Sequence, residues 1–486
     1  MGKPVTIKIN GREIQADSDQ YVLNVAMEHG IFVPHYCWHP GLSPEGNCRM
    51  CLVKVSTSRK LEVSCMTRCA DKLEVDTEAP EVQKARKDVL EFLLINHPLD
   101  CPICDKSGEC MLQDFTYNWR GGLSRFLGLQ EKNIRPTKDL GPDIRFWGNR
   151  CVVCTRCVRF MSEISGNGQL SVVQRGDHCT IDTAPGVTLE DPLSLNIVDI
   201  CPVGALIDKE FLFQARVWYT KRTPSVCASC STGCNITLTT LDDQIKRIQP
   251  RLNKDVNGYW MCDEGRRHFR YVHSDRRLTE RIGTPEEAAR ALRSVVERHG
   301  PGAVAALCSS YNTCEELSLF KEIFDALGVS QIGFLTAASG QDQKFKNGFT
   351  IHADKTPNSA YLTKLFGEPK VLEGPNKVVS LIADDKIKLL FVLNGLPDRH
   401  FPRALRDLAG RVEELILIDI LKSPLSERAN VLLPGAAWAE KSGTFVNFQG
   451  REQTIKAALT PPGEAMPESK ILSEISLALS AVPAKP

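Results

Sequence analysis

The sequence predicts an α+β first half followed by an α/β second half, and three observations carry that expectation. The N-terminal stretch alternates apolar and polar residues around an Asn-Gly pair and then turns helical. Of 19 cysteines, 17 lie between Cys37 and Cys262, and only Cys308 and Cys314 follow. Past Cys262, short apolar runs alternate with helical patterns, the order of a parallel α/β layer. At 486 residues the chain needs several domains. A net charge of +1 gives no electrostatic case for nucleic acid or an anionic membrane surface. No run approaches the roughly 18 apolar residues of a spanning helix. The opening "MGKPVTIKINGREIQ" lacks an apolar signal core, and its Met-Gly start with Thr6 sits in a strand pattern. The expected location is cytoplasmic. In a reducing compartment, clustered cysteines bind metal more often than they pair.

The elements follow in order. "VTIKIN", a turn at Asn-Gly and "EIQADS" read as a β-hairpin, and "YVLNVAMEHG" as a short helix ending at Gly30. A cysteine loop comes next, with Cys37, Cys48 and Cys51 and a fourth candidate in Cys65 or Cys69. A hairpin and helix before such a loop suit a β-grasp ferredoxin holding a [2Fe–2S] cluster. "PEVQKARKDVLEFLLINH" reads as an amphipathic helix with Val82, Ala85, Val89, Phe92 and Leu93 on its apolar face, delivering His97 at its C-terminal end.

"HPLDCPICDKSGEC" then sets His97 beside Cys101, Cys104 and Cys110. Alone, His97 reads as a charged cap favouring the helix dipole. Next to C-x2-C-x5-C it reads as a fourth ligand, because a [4Fe–4S] cube needs four and a neutral imidazole can replace a thiolate. That replacement removes one negative charge, which by itself raises the potential. "CVVCTRC" with a remote Cys-Pro supplies Cys151, Cys154, Cys157 and Cys201, a bacterial ferredoxin half-motif for one [4Fe–4S] cluster. Pro202 removes a backbone donor and fixes the turn after Cys201, and Cys179 is left as a structural thiol. "CASCSTGC" with "YWMCDEG" supplies Cys227, Cys230, Cys234 and Cys262, spaced C-x2-C-x3-C-x27-C, with polar strands such as "NITLTTLDDQIKRIQP" between the third and fourth.

Structural zinc is the competing account of every set, since four cysteines, or three and a histidine, bind zinc well. Three thiols in C-x2-C-x2-C crowd more than zinc ribbons do, Cys-Pro closes the third set, and four redox-inert ions would be scaffolding only. Beyond Cys262, "TPEEAARALRSVVERHG" opens a helix with a capping box of Thr284, Pro285 and Glu287. "AVAALC", "KLLFVLNG" and "ELILIDI" read as strands, and "TCEELSLFKEIFDALG" and "FPRALRDLAGR" as helices. Cys308 reads as a small core residue. No G-x-G-x-x-G loop follows a strand, and His268, His273, His299, His352 and His400 have no nucleophile or acid–base partner pattern.

With "HPLDCPICDKSGEC", "RCVVCTRCVRF" and "DICPVGAL" together, the sequence resembles the large iron–sulfur subunits of respiratory complex I (NADH:quinone oxidoreductase) over nearly its whole length. The first cysteine gap of ten residues matches the longer loop of their ferredoxin domains rather than the plant-type C-x4-C, and the gap of thirteen from Cys51 makes Cys65 the fourth ligand. The fourth set resembles the N-terminal module of molybdopterin oxidoreductases, and "LPGAAWAEKSGTFVNFQGR" resembles a later passage of that fold. The resemblance implies a β-grasp [2Fe–2S] domain over 1–80, a His/Cys [4Fe–4S] module over 81–120, a ferredoxin-like [4Fe–4S] module over 121–219, a molybdopterin-oxidoreductase-type [4Fe–4S] module over 220–276, and a reduced α/β domain without pterin over 277–486. It implies no catalytic residue in this chain, a flavin/NADH-binding partner and further Fe–S subunits, and a place on the inner face of the cell membrane reached through partners.

The same front end occurs in NAD-linked formate dehydrogenases, multimeric iron hydrogenases and soluble electron-bifurcating complexes. Only about 150 residues separate "TPEEAAR" from "RANVLLPG", too few for a working molybdopterin body, and no C-terminal cysteine set exists for a hydrogenase centre. An equivalent subunit of a soluble complex stays as the alternative.

Overall fold

In the computed structural model residues 2–119, 132, 134–395, 407 and 409–481 are described, residues 369–375 and 409 by backbone alone. His400 and most of the helix expected at "FPRALRDLAGR" lie outside the described residues. The chain divides into two compact units, Met1–Thr220 with Phe345–Phe349, and Lys221–Lys344 with Thr350–Pro486.

The first unit opens with strands β1 (Pro4–Ile9) and β2 (Arg12–Asp17), paired antiparallel. Asn10 (φ 50°) and Gly11 (φ 81°) both take the left-handed conformation that a two-residue hairpin turn requires. Helix α1 (Val22–Glu28) follows. Strands β3 (Leu52–Val55), β4 (Glu62–Val63) and β5 (Glu74–Asp76) complete a five-stranded sheet in the order β2-β1-β5-β3-β4, with β5 parallel to β1. Ile7, Ile9, Leu23, Val25, Val53 and Val75 form its core under α1, and this is the β-grasp arrangement.

Helix α2 (Pro80–Asn96) differs from expectation in its face. Its buried line is Val82, Arg86 and Leu90, each one helical turn from the last, while Ala85, Val89 and Leu93 are half-buried and Phe92 is 76% exposed. Arg86 takes the inner position because its guanidinium lies over Trp119 in α3 (Met111–Trp119), 5.7 Å from the ring, with its charge held near Glu78. After α3 come β6 (Thr137–Asp139), β7 (Ile144–Trp147), α4 (Arg156–Phe160), the hairpin β8 (Leu170–Val173) and β9 (Thr180–Thr183), α5 (Asn196–Ile200) and β10 (Leu206–Asp208). β10, β7 and β6 form a small sheet in that order.

The second unit begins with an antiparallel sheet of β11 (Lys221–Val226), β12 (Asn235–Leu241) and β13 (Gln244–Pro250), followed by α6 (Asp263–Arg267). Helix α7 (Pro285–His299) carries the expected capping box. β14 (Val304–Ser309), α8 (Cys314–Ala326) and β15 (Gln331–Leu335) come next, then the small pair β16 (Gln343–Lys344) and β17 (Thr350–Ile351), α9 (Ser359–Phe366), α10 (Glu368–Ala383), β18 (Leu389–Leu393), β19 (Glu414–Asp419) and β20 (Val431–Pro434). Five of these strands make an all-parallel sheet ordered β15-β14-β18-β19-β20. The parallel α/β layer read from the sequence is therefore present. β21 (Gly443–Val446) and β22 (Glu452–Ile455) form a hairpin, and the helix Glu468–Ala481 closes the unit. Phe320, Phe324 and Phe391 pack in its core with tilted and edge-on rings, and Cys308 lies fully buried in the same cluster, as a small core residue. Among the described residues no helix is long and apolar enough to cross a membrane.

A buried ionic cluster ties the layer together. Lys441 Nζ stands 2.8 Å from both Glu316 and Glu468, and Arg277 stands 2.6 Å from Glu440; all five side chains are buried. Burial, with Glu316 adjacent, pushes the Glu468 carboxyl up, and Lys441 opposes this.

Candidate metal centres

The first set lies where the loop after α1 meets β3 and β4. The Cys37 thiol contacts those of Cys48 and Cys65, and the Cys51 thiol contacts that of Cys65. These contacts drive Cys37 towards thiolate, to about 2, and leave the protons on Cys48 and Cys65. The Tyr36 amide also donates to Cys48 Sγ at 3.4 Å. Cys69 is packed into the hydrophobic core, 2% exposed, its thiol raised to about 11 by burial with Arg68 opposing. His35 and His39 flank Cys37 and are both neutral. Burial lowers them to about 4 and about 3, helped by the charge of Arg156 and, for His39, of Arg159.

The second set starts at the end of α2, where His97 is the C-cap residue. Burial, with the charges of Lys132 and Arg150, lowers its imidazole to about 4. A ring uncharged at neutral pH does not serve the helix dipole as a cation; it is in the form that binds metal. Cys101 is exposed, Cys104 buried and Cys110 half-buried. The amides of Leu112 and Gln113, at the start of α3, point to Cys110. Buried Arg150 grips Asp100 at 2.8–2.9 Å and lies over the Trp147 ring at 4.2 Å, while Arg216 donates to Cys104 O at 2.8 Å and to Pro102 O. A Cβ on Gly204 would fall 2.2 Å from Cys104 Sγ. The glycine of "CPVGA", two residues past Pro202, thus makes room for a sulfur of the second set.

The third set gathers Cys151, Cys154, Cys157 and Cys201 around one small apolar pocket walled by Phe146, Ile181, Val203 and Leu206. The loop reaches it through left-handed residues at Val153 (φ 48°) and Thr155 (φ 59°). For a β-branched valine that conformation is strained, on the order of 1–3 kcal/mol, and such strain concentrates at functional loops. It turns the Val153 amide onto Cys151 Sγ at 3.4 Å. Burial and neighbouring thiols push Cys154 up to about 11 and Cys151 to about 12.

The fourth set belongs to the second unit. Cys227, Cys230 and Cys234 leave the β11–β12 end, where the Cys227 amide donates to Cys234 O at 2.8 Å, and Cys262 caps α6, accepting from the Gly265 amide at 3.3 Å. All four are buried, and burial with the other thiols of the set pushes Cys227, Cys234 and Cys262 up. A Cβ on Gly265 would stand 3.1 Å from Cys227 Sγ and 3.3 Å from Cys262 Sγ. The "GTFVNFQGR" passage supports this loop: Asn447 donates to Thr232 O at 3.3 Å and Gln453 to Gly233 O at 3.0 Å. Lys355 pairs with Glu264 beside the set at 2.7 Å.

Among the described residues no group of three or more His, Cys, Asp or Glu is arranged to hold a single metal ion. Raised thiols also mean that any metal entering these sets displaces protons. Cys179 is half-buried outside the sets, and Cys314 opens α8, 3.6 Å from Asn358. At the carboxyl ends of β14 and β18, where the strand order reverses and α/β folds bind nucleotides, the chain places its own side chains. Asn312, fully buried, donates to Ser309 O at 2.9 Å and to Asn394 O at 3.1 Å.

Family models match five stretches of the protein: a 2Fe-2S iron-sulfur cluster binding domain over residues 2–80, the NADH-ubiquinone oxidoreductase-G iron-sulfur binding region over 86–120, the ferredoxin-like domain of NADH-quinone oxidoreductase subunit 3 over 141–207, the molybdopterin oxidoreductase Fe4S4 domain over 220–274 and molybdopterin oxidoreductase over 370–478. The NADH-quinone oxidoreductase G subunit of Rickettsia conorii is 29% identical over 97% of this chain and 87% of its own length. The protein belongs to the NADH-quinone oxidoreductase-G family. The mitochondrial NADH-ubiquinone oxidoreductase 78 kDa subunit of Candida albicans is 27% identical over 98% of this chain and 83% of its own. The 75 kDa subunit of Reclinomonas americana is 38% identical over 68% of this chain and 48% of its own. The Rickettsia alignment runs over 588 positions against 486 residues here, so the relative carries segments that this chain lacks. Among solved structures, an NAD+-reducing [NiFe]-hydrogenase is 29% identical over 44% of this chain and 91% of its own, with a TM-score of 0.40.

Proposed function

We propose that the protein is the iron–sulfur electron-transfer subunit of an NADH:quinone oxidoreductase, receiving electrons from a flavin/NADH-binding subunit and passing them towards quinone through further Fe–S subunits. One observation carries the reading: four separate groups of candidate ligands, each in its own local fold, in a member of the NADH-quinone oxidoreductase-G family. In this reading Cys37, Cys48, Cys51 and Cys65 hold a [2Fe–2S] cluster. His97 with Cys101, Cys104 and Cys110, then Cys151, Cys154, Cys157 and Cys201, then Cys227, Cys230, Cys234 and Cys262, hold three [4Fe–4S] clusters. The five segments that bear them, ending at residues 80, 120, 219, 276 and 486, are the functional modules.

When bound, the clusters supply one-electron carriers. The protein's own residues do the rest. Neutral His97 offers a lone pair without adding charge, the amides of Val153 and Gly265 donate to cysteine sulfurs, and apolar walls keep water from the third pocket. The polar packing of Asn312 and Ser309 at the strand ends supports a scaffold role for the second unit, without a pterin. The protein would sit at the inner face of the cell membrane through its partners.

Anaerobic purification of the native assembly, with metal analysis and mass spectrometry of its partners, tests the reading. Expected are roughly 14 irons per chain on these ligand counts, beside a flavin subunit and membrane-embedded quinone-site subunits. Zinc near four per chain without visible absorption would overturn the redox reading. A small soluble partner set would move the protein to an electron-bifurcating, formate dehydrogenase or hydrogenase complex and keep the ligand sets.

A further inference from the structure

Arg156 stands inside "CVVCTRCVRF", between two ligands of the third set, yet its bonds reach the loops of two sets. Its Nη2 donates to Trp38 O at 2.6 Å, one residue after Cys37, and its Nη1 donates to Ile200 O at 3.0 Å, one residue before Cys201. Arg159, one turn on, donates to Cys37 O and Ser43 O and, at 3.4 Å, to Cys154 O. The Arg156 side chain is 5% exposed and lines the third pocket, and the sulfurs of Cys154, Cys201, Cys48 and Cys37 all lie within electrostatic reach of its charge. Among the described residues no carboxylate pairs with it. Its Nε is buried without a hydrogen-bond partner. A buried cation with no paired carboxylate and an orphaned donor is costly, so the fold should provide anions at that place. The groups that act most strongly on its charge are thiols, and thiols are anionic when they bind metal.

Resting on the cluster reading above, we propose that Arg156 is a positioning and tuning residue for two centres. It is the buried counter-charge shared by the clusters of the first and third sets, and its Nε–H donates to a sulfur of the third. A cation and an N–H···S bond both favour the reduced, more negative cluster. Arg156→Gln should therefore lower the potential of the third cluster and, less strongly, that of the [2Fe–2S] cluster.

The test is an EPR-monitored redox titration of the whole assembly, wild type against Arg156→Gln. The expected result is a shift of the third cluster's reduction equilibrium of at least tenfold towards the oxidised form, about 59 mV for a one-electron couple. The [2Fe–2S] cluster should shift less in the same direction, and the second and fourth clusters should not move. A fully iron-loaded variant with the third potential unmoved would overturn the proposal, as would four potentials moving together. Pulsed EPR on wild-type assembly labelled with guanidino-15N arginine needs no variant. A 15N coupling at the reduced third cluster is expected there, and a clean absence counts against the donor role. A wild type without iron would instead defeat the cluster reading itself.

Discussion

The second and third ligand sets share one unit and are built in opposite ways. The third is a closed room: apolar walls, a strained left-handed loop and buried arginines, with Cys154, Cys157 and Cys201 out of solvent. The second is an open frame. Cys101 is exposed, Leu99 beside it is 92% exposed, and the loop is held by charge and hydrogen bonds, from Arg150 on Asp100 and from Arg216 on Cys104 O and Pro102 O. The contrast teaches that a thiol set is positioned either by the space around it or by the carbonyls behind it. The two designs should fail differently.

The largest expected effect breaks the open frame and spares the closed room. Gly204→Ala puts a methyl onto Cys104 Sγ, and Cys104→Ala removes that sulfur, so each should lose the second cluster, roughly four of 14 irons, and leave the third cluster's EPR signal intact. Full iron content in Cys104→Ala would show that this ligand set is wrong. His97→Cys is milder. It exchanges a neutral ring for a thiolate, so the second cluster should be retained with a potential lower by a tenfold or greater change in its reduction equilibrium, read by redox titration; an unmoved potential would remove His97 from the ligand shell. Third, a thiol-alkylating reagent applied briefly to the metal-free protein should label Cys101 several-fold faster than Cys154 or Cys157, as peptide mass spectrometry will show. Equal labelling would mean that the closed room opens without its metal.

The smallest effect is in pH. Thiols must lose protons to bind metal, so both sites should load less well as pH falls. His97, lowered to about 4, is already unprotonated at neutral pH, so the second site releases three ligand protons where the third releases four. Iron loading of the third site should therefore fall more steeply between pH 8 and pH 6, and parallel curves would contradict the assignment of His97 as neutral.

A good part of this is legible in the sequence. Cysteine spacing groups the close members of each set, while Cys201 and Cys262 are remote along the chain and are brought in by the fold. Asn10-Gly11 announces the hairpin turn, and Thr284 with Glu287 the start of α7. A second capping box, Thr313 with Glu316 at α8, carries the same signature in its residues without being part of the expectation. The face of α2 departs from the expected one because hydrophobicity alone favours Phe92, whereas the inner place goes to Arg86, whose stem packs while its guanidinium lies over Trp119. Nothing local can reveal that Arg156 reaches Trp38 O, 118 residues away, or that Gly204 leaves space for Cys104 Sγ. Those are facts of tertiary approach, written in no single stretch. His35 and His39 stand visibly around Cys37, but their neutrality depends on burial beside arginines that the linear order keeps distant.

Gly204 also joins two of the sets. The Cys104 sulfur lies against the turn from Cys201 to Gly204, and that turn is pinned by Met111, whose amide donates to Pro202 O at 3.0 Å. The turn also carries the last ligand of the third set. One short turn is thus shared property: the residue that clears space for a sulfur of the second set stands three positions after a thiol of the third.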